Sequence, residues 1–420
     1  MVDVWIPYGK TEVCVSIESR NLLGVIEPKS RKGVENPEEE IRRALSSPMG
    51  TEPLRKLVSP GDKVAIVVDD HTRKAPTRLM LPPLLKELEG AGVRREDITV
   101  IFGCGSHRAV RPEEQAKILG ENLVGRIKAI SHDCEAKDLV YLGKTSYGNE
   151  IYVNRTFAEA DVKILTGDVN LHFFAGYGGG RKSVLPGVSA LETIRRNHAM
   201  LLNPKAQTGV LEGNPIHEDM TEAVRLADVD FTLNTVSNSS GELVGAYAGD
   251  VHAVFEEGVK TVDDLFKVPI KQKADIVVVS PGGYPYDIDL YQAYKGIDSA
   301  LKAVKDGGVM IVAAECPDGH GSQLFYDWMT KFKTMDELED EIRHRFVIGG
   351  HKAYYVRKAL ERVEMFLVSV MPEHEVREVF GMRPAKSVND ALKEALRITG
   401  PDSQVYIITH GSITLPTLTP

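Results

Sequence analysis

The chain has 420 residues, of which 42% are hydrophobic and 26% charged, and its net charge is −9. These values are typical of a globular protein of two or three domains, and the negative charge argues against a nucleic-acid or anionic-membrane surface. The four cysteines (Cys14, Cys104, Cys134 and Cys316) form no CxxC pair, and the first residues lack the basic-then-apolar pattern of a signal peptide. We therefore expect a cytoplasmic protein that binds neither nucleic acid nor membrane.

Alternating apolar strands and amphipathic helices predict an α/β fold with mostly parallel sheets flanked by helices. Two short strands, Val2 to Tyr8 and Thr11 to Ile17, come before an exposed helix from Pro37 to Ser46. The first buried strand, VAIVVDD, follows Lys63, and Pro76 opens the next helix. Further strands are predicted at Ile98 to Phe102, Val162 to Thr166, Phe231 to Val236, Leu243 to Tyr247, Asp275 to Ser280, Gly308 to Ala314, Met365 to Val370 and Val405 to Thr409.

The short polar segment VPIKQK (268–273) separates two such α/β regions. We predict an N-terminal α/β domain over 1–268, which carries a glycine-rich loop, and a C-terminal α/β domain over 273–400. The last strand and tail (401–420) form a separate segment, whose return to the N-terminal domain is left open. Two α/β domains with facing strand ends predict an active site in the cleft between them.

The glycine-rich loop, LHFFAGYGGGRKSVLPG (171–187), lies between a buried strand and a helix. Glycines let a backbone approach a ligand or adopt positive φ, and open α/β sheets bind ligands beyond the carboxyl ends of their strands. The phosphate-loop pattern GxxxxGK[ST] fails because Arg181 stands where that pattern needs glycine. Lys182 is therefore open to three interpretations: part of a solvated basic pair, a point charge for an anion, or a desolvated nucleophile.

Polar side chains follow three successive strands of the predicted sheet. Asp70 and Arg73 follow the first, His107 and Arg108 the second, and the stretch from His172 to Lys182 the third. Because the carboxyl ends of parallel strands lie at one edge, these groups are predicted to converge. Each alone also has a structural explanation, such as a helix cap or a surface turn.

Several common catalytic patterns are missing from the sequence. HExxH, paired cysteines, G-x-S-x-G and the G-x-G-x-x-G spacing do not occur at the expected places. The histidines, cations and glycine loop suit proton transfer to and from a small anionic substrate, with Arg73 and Lys295 binding a carboxylate. Lys295 lies four residues after Tyr291, so both are predicted on one face of a helix from Leu290 to Val304.

Six motifs together resemble the nickel-pincer lactate racemase family, in which a nicotinic-acid-derived mononucleotide with two sulfur donors and a ring carbon holds nickel and is tethered to a lysine. The motifs run through both predicted domains, from about Ile66 to Gly321. They are DDHTRKAP (69–76), GSHR (105–108), HFFAGYGGGRKSVLPG (172–187), RNHAM (196–200), GGYPYDIDLYQAYK (282–295) and ECPDGHG (315–321).

The resemblance implies three cofactor-binding residues. Lys182 would carry the covalently attached nickel-pincer nucleotide, pyridinium-3,5-bisthiocarboxylic acid mononucleotide nickel. His198 would be the single protein ligand of the nickel, and Tyr291 would lie near the cofactor phosphate. The cofactor-maturation enzymes would be partners of the chain.

The resemblance also implies the residues that act on the substrate. His107 and His172 would be general bases on opposite faces of the substrate, and Asp70 would orient His107. The substrate would be held by Arg73, Gln292 and Lys295.

The implied activity is that of an isomerase, a racemase or epimerase of a 2-hydroxy carboxylic acid, with lactate as the default substrate. The α-hydrogen is a very weak acid, and a hydride route avoids its ionisation: one histidine removes the hydroxyl proton while hydride passes to the cofactor. Hydride return to the other face of the flat 2-oxo acid inverts the centre.

The alternative is a non-catalytic protein that binds or carries the cofactor or a small carboxylate; two motif histidines argue against it. The substrate's side chain and a homo-oligomeric state stay open.

Overall fold

The computed structural model describes residues 1–73 and 75–419. Lys74, within the DDHTRKAP motif, and Pro420, at the end of the predicted tail, lie outside the described residues. The strands are β1 (Val2–Tyr8), β2 (Thr11–Ile17), β3 (Leu22–Ile26), β4 (Val64–Asp69), β5 (Ile98–Gly103), β6 (Lys128–Ser131), β7 (Val140–Lys144), β8 (Glu150–Val153), β9 (Val162–Asp168), β10 (Leu171–His172), β11 (Gly176–Tyr177), β12 (Phe231–Ser237), β13 (Leu243–Gly249), β14 (Lys267–Ile270), β15 (Ala274–Val279), β16 (Val304–Ala313), β17 (Glu364–Val368), β18 (Arg383–Pro384), β19 (Val405–Ile408) and β20 (Leu415–Leu418).

The α-helices are α1 (Pro37–Ser46), α2 (Leu54–Leu57), α3 (Thr77–Gly90), α4 (Pro112–Leu119), α5 (Arg155–Ala158), α6 (Leu191–Ala199), α7 (Pro215–Ala227), α8 (Val251–Phe266), α9 (Leu290–Ala300), α10 (Gln323–Lys331), α11 (Met335–His344), α12 (His351–Arg362) and α13 (Val388–Thr399). Three short 3-10 turns lie at Arg95–Asp97, Gly180–Ser183 and Met200–Leu202, and a π turn lies at Glu375–Val379. Within the described residues, no helix is both long and apolar enough to cross a membrane.

The chain folds as two compact units, which differ from the predicted domains at the N-terminus. The glycine-loop unit comprises residues 30–265, and the C-terminal unit comprises residues 1–29 together with 266–420. The predicted boundaries of 1–268 therefore need correction: β3 pairs in parallel with β19 and so joins the first residues to the C-terminal unit. The final strand β20 pairs with β14, which places the 401–420 segment in that same unit.

The glycine-loop unit contains a six-stranded sheet with the order β13-β12-β9-β4-β5-β6. The pairings are parallel except for β12 with β13. Alternate residues of β4 (Val64, Ile66 and Val68) belong to one apolar cluster with helix α3, while Ala65 and Val67 are also fully buried. Burial on both faces explains the unbroken apolar run that predicted this strand.

The strands that carry the predicted site residues are neighbours in this sheet. Strand β4 lies between β9 and β5, and all three run in the same direction. In the register, Asp69 at the end of β4 is opposite Gly103 at the end of β5. The polar segments after these strands therefore emerge at one edge of the sheet, as predicted.

The C-terminal unit contains a second six-stranded sheet, with the order β18-β17-β16-β15-β19-β3 and parallel pairing throughout. Its core includes Ile276, Val278 and Ile311 with helix α13 and the β1–β2 hairpin. The VPIKQK segment, where we predicted the domain boundary, contributes most of β14 and belongs to the C-terminal unit. The predicted class, α/β with mostly parallel sheets flanked by helices, is confirmed.

Candidate active site

Asp70 and His107 form a hydrogen-bonded pair beyond the ends of β4 and β5. His107 Nδ1 lies 2.7 Å from Asp70 Oδ2, and the Asp70 side chain is only 2% exposed. The backbone N–H and the hydroxyl of Thr72 both donate to Asp70 Oδ1, at 2.9 and 2.6 Å. Burial alone would raise the pKa of Asp70, but the hydrogen bonds from His107 and Thr72 outweigh it and hold that pKa below its usual value. The ionised carboxylate accepts the Nδ1 proton and leaves Nε2 of the neutral ring as a proton acceptor.

Three predicted residues of the glycine loop and helix α6 surround the ring of Phe174. The His172 and His198 rings meet it edge-on, with centroids 4.5 and 5.1 Å from that of Phe174. Lys182 Nζ lies 5.6 Å from the same centroid. The structure thus brings together the predicted tether, the predicted nickel ligand and one predicted base around a single buried phenylalanine, which is 4% exposed.

The two predicted bases differ in their hydrogen bonding. The Ala175 N–H donates to His172 Nδ1 at 3.3 Å, whereas His107 directs its Nδ1 at a carboxylate. In the neutral His172 ring, that contact leaves the proton on Nε2. The arrangement therefore favours opposite neutral tautomers, in which Nε2 of His107 is a hydrogen-bond acceptor and Nε2 of His172 is a hydrogen-bond donor.

Lys182 lies in the 3-10 turn that follows the glycines and has an unusual electrostatic environment. Burial, together with the charges of Arg73 and Arg181, holds the pKa of Lys182 well below its ordinary value, and the Asp69 carboxylate opposes the shift. A lysine with a depressed pKa is present more often as the neutral, nucleophilic amine. Of the three interpretations of Lys182, this environment favours the desolvated nucleophile.

Two further carboxyl groups at this sheet edge have raised pKa values. Burial raises the pKa of Asp69 to about 6, although the charge of Arg73 opposes it. Burial likewise raises the pKa of Asp168 to about 7, with a further contribution from the charge of Asp69. These residues were not predicted as site residues, although both end strands that were predicted.

Arg181 is buried and holds the glycine loop from inside. Its guanidinium donates to the backbone carbonyls of Ala175 and Tyr177 at 2.8 and 3.1 Å, and lies 4.1 Å from the ring centroid of Phe255. It is 3% exposed, so the interpretation of Arg181 as one half of a solvated basic pair is wrong, while Lys182 beside it is half-buried. Arg181 stands at the position where the phosphate-loop pattern has glycine. Here it stabilises the glycine-rich loop by hydrogen bonds to two of the loop's backbone carbonyls.

The glycines of the loop serve packing within the unit. A Cβ on Gly176 would lie 2.3 Å from the carbonyl oxygen of Val210, and one on Gly178 would lie 2.5 Å from Asn170 Oδ1. Gly176 also has a φ of +77°, which side chains rarely tolerate. The expected positive φ is thus present at Gly176, the space next to Gly176 and Gly178 is filled by the protein itself, and the approach of a ligand to the loop stays a prediction.

The predicted substrate residues of the C-terminal unit lie together at the start of helix α9. Asp289 caps this helix by accepting the Gln292 N–H at 2.7 Å, and Tyr291 and Lys295 follow on the same helix. Lys352, which is 1% exposed, places Nζ 5.1 Å from the ring centroid of Tyr291. Burial, and then the charge of Lys295, hold the pKa of Lys352 well below its ordinary value. The joint action of these residues with those of the glycine-loop unit stays a prediction.

Sequence reasoning missed Thr72, Phe174, Arg181 and Lys352 as residues that shape the site. Thr72 and Phe174 lie within quoted motifs, next to predicted residues, so their position was a usable signal. Lys352 follows a histidine in an ordinary amphipathic helix, and its burial has no signature in the sequence.

Comparison with known proteins identifies the family. Residues 8–209 match the model described as "Lactate racemase N-terminal domain", and residues 270–415 match "Lactate racemase C-terminal domain". A lactate racemase of Thermoanaerobacterium thermosaccharolyticum is 35% identical over 421 residues, with 98% of each chain covered. The chain belongs to the lactate racemase family. A second relative, the lactate racemase of Lactiplantibacillus plantarum, is 31% identical and covers 98% of this chain and 99% of its own length.

Solved structures agree with the lactate racemase family assignment. The apoprotein of the Thermoanaerobacterium lactate racemase superposes with a TM-score of 0.92 at 34% identity, covering 99% of this chain and all of that one. A Thermotoga maritima protein has the same fold, with a TM-score of 0.65 at 21% identity over 91% of this chain and 98% of its own. The predicted enzyme class, an isomerase of the racemase type, is confirmed by the family.

Proposed function

We propose that this member of the family interconverts the enantiomers of lactate with a nickel-pincer nucleotide attached to Lys182. The observation that carries the proposal is the meeting of Lys182, His198 and His172 around the Phe174 ring, at 5.6, 5.1 and 4.5 Å from its centroid. The names of the two relatives, both called lactate racemase, support the choice of substrate.

The side chains around Phe174 fit such a cofactor. Over residues 1–73 and 75–419, no group of three or more His, Cys, Asp or Glu side chains is arranged to hold a metal ion. A nickel ion bound by His198 would therefore take its other donors from an organic ligand, and Lys182, with its depressed pKa, is suited to a covalent link with that ligand. When bound, the nickel-pincer group supplies an acceptor and donor of hydride.

The protein's own contribution is proton transfer at the substrate hydroxyl. His107 Nε2 accepts the hydroxyl proton of one enantiomer, and the Asp70 carboxylate, 2.7 Å from Nδ1, stabilises the imidazolium that results. Once this proton has left, the substrate would become a 2-oxo acid if the bound cofactor took up its hydride. His172, when protonated, would donate its proton to the same oxygen from the opposite face, so that one histidine gains the proton that the other supplies, and the two histidines would exchange roles for the other enantiomer.

Cations hold the substrate for this reaction. We infer that Arg73 and Lys295 bind its carboxylate, since guanidinium and ammonium groups form charge-assisted hydrogen bonds with carboxylates, and that the neutral amide of Gln292 helps to hold the substrate. A protein that only carried the cofactor would need Lys182 and His198 but not the Asp70–His107 pair. That pair therefore favours the racemase over the carrier.

The test is chiral analysis of protein produced together with the cofactor-maturation enzymes. Single enantiomers of lactate, malate and longer 2-hydroxy acids are incubated separately, and both enantiomers of each are quantified over time. Lactate is expected to approach a 1:1 mixture from either side, and the Lys182→Ala variant from the same expression is the matched control. Protein that carries nickel and the adduct but converts no 2-hydroxy acid would contradict the racemase and support the carrier.

A further inference from the structure

A buried carboxylate fixes the helix that carries His198. Asp219, on helix α7, is 0% exposed. Its Oδ2 accepts hydrogen bonds from Asn197 Nδ2 at 2.8 Å and Asn149 Nδ2 at 2.9 Å, and its Oδ1 accepts one from the hydroxyl of Thr145 at 2.6 Å. Asn197 is the residue directly before His198 on helix α6.

The same network holds helix α6 at a second point. Asn149 Nδ2 also donates to the backbone carbonyl of Thr193 on α6, at 3.1 Å, and Asn197 Nδ2 also donates to the carbonyl of Ile216 on α7, at 3.2 Å. Asn149 and Asn197 are 2% and 0% exposed. Helices α6 and α7 are therefore joined by a polar network inside the unit.

A buried carboxylate needs such donors. Removing an ionised group from water is strongly unfavourable unless hydrogen bonds replace its hydration. Three donors satisfy Asp219, which constrains the Asn197 side chain to point at it. Because successive helix residues are separated by about 100° around the axis, the direction of Asn197 also sets the direction of His198. In that direction the His198 ring packs edge-on against Phe174, with the two ring centroids 5.1 Å apart.

We propose that Asp219 is a positioning residue for His198: through Asn197 it holds helix α6 at the rotation that presents the imidazole to nickel. The inference rests on the proposed function, because it takes His198 as the nickel ligand. Groups that orient a metal ligand typically change metal affinity about 10- to 100-fold when they are replaced. Asp219 acts through its neighbour and touches neither nickel nor substrate.

The test compares variants that release Asn197 with variants that do not. Asp219→Ala and Asn197→Ala both remove the hydrogen bond between the two side chains. Thr145→Val is the matched control, because it removes one donor to the same carboxylate and leaves the bond from Asn197. Asp219→Asn is the conservative variant: its amide oxygen still accepts from Asn197, while its Nδ2 donates to the Thr145 hydroxyl.

Each variant is produced with the maturation enzymes and dialysed against a chelator, and nickel and adduct mass are followed on the same samples. We expect Asp219→Ala and Asn197→Ala to lose nickel about tenfold faster than wild type or more, with the adduct retained. Thr145→Val and Asp219→Asn should stay within a few-fold of wild type, even where the melting temperature falls. Nickel loss at the wild-type rate in Asn197→Ala, or equally fast loss in Thr145→Val, would overturn the proposal.

A cofactor-free measurement separates this inference from the proposed function. Hydrogen exchange of the peptide 191–199 in the apoprotein should be faster in Asn197→Ala than in wild type and unchanged in Thr145→Val. If wild-type protein never carries nickel, the proposed function fails, while normal exchange of this peptide in Asn197→Ala would overturn the positioning role by itself. If Asp219→Ala fails to fold, the Asn197→Ala variant still tests the positioning role, because Asp219 keeps its hydrogen bonds from Thr145 and Asn149 in that variant.

Discussion

Replacing Asp70 by Asn should convert Nε2 of His107 from a proton acceptor into a hydrogen-bond donor that cannot take up the substrate's proton. The Thr72 N–H and hydroxyl donate to Oδ1 of Asp70, so the amide oxygen of the new side chain should take that side. Its Nδ2 then faces His107 Nδ1, which is 2.7 Å from the replaced oxygen. A donor at that place requires Nδ1 to accept, which puts the ring proton on Nε2 and blocks the acceptor that the reaction needs.

The size of the effect follows from the loss of a general base. Such a base contributes about 10²- to 10⁴-fold, or about 3 to 5 kcal/mol at about 1.4 kcal/mol per factor of ten. The Asp70 side chain is 2% exposed, so water can scarcely take over its hydrogen bond to His107. The His107 side chain is 32% exposed, so water can help the ring to change its tautomer, which reduces the effect. We expect the rate to fall by about a thousandfold, in the middle of that range.

The assay is single-turnover oxidation of each lactate enantiomer by protein that carries the cofactor. Asp70→Asn should slow the enantiomer whose hydroxyl proton goes to His107 about a thousandfold, and the other enantiomer by less than about tenfold. Thr72→Val is the control, because it removes one donor to Oδ1 and keeps the Asp70–His107 bond. Equal slowing of both enantiomers, or no slowing of either, would refute the assignment of His107 to one face.

Three further predictions concern the tether, the metal and the buried carboxyl at the end of β9. Lys182→Ala should fold but show no adduct in its intact mass, whereas the exposed control Lys56→Ala should retain it; an adduct on Lys182→Ala would refute the tether. His198→Ala should keep the adduct and lose the nickel, as measured by elemental analysis, and full nickel content would contradict its role as ligand. Burial raises the pKa of Asp168 to about 7. Between pH ~4 and pH ~7 the folded state therefore holds a proton on this carboxyl group that the unfolded state has released. As the pH rises through that range, the group lowers the free energy of unfolding. Asp168→Asn should therefore gain more stability at pH ~8 than at pH ~5 in urea unfolding, and an equal change at both would contradict the shift.

The sequence was sufficient to predict elements whose burial leaves a local pattern of apolar residues. Strand β4 was predicted to within a residue because its apolar run reflects burial on both faces. Strand β3, with the sequence LLGVI, was missed because it is short, half-exposed and contains a glycine. Its partner β19 begins at Val405, and such long-range pairing, which assigns the first 29 residues to the C-terminal unit, leaves no local signal.

The sequence predicted those site residues whose positions are set by the end of a strand or by a motif. Asp70 and His107 were expected to meet because their strands are neighbours, and they do. Arg181 looks solvated in the sequence, but its burial depends on carbonyls that only the folded loop brings together. Asp219 looks like an ordinary surface residue of an amphipathic helix, and its role depends on side chains that are distant in the sequence.

The most direct test of the account is the intact mass of protein made with the maturation enzymes, with nickel determined on the same sample and the adduct located by peptide mapping. The account predicts an added mass of mononucleotide size on Lys182 and about one nickel per chain, in the proportion expected for one tethered cofactor. A bare chain without nickel, from an expression that loads a relative from the lactate racemase family, would contradict it.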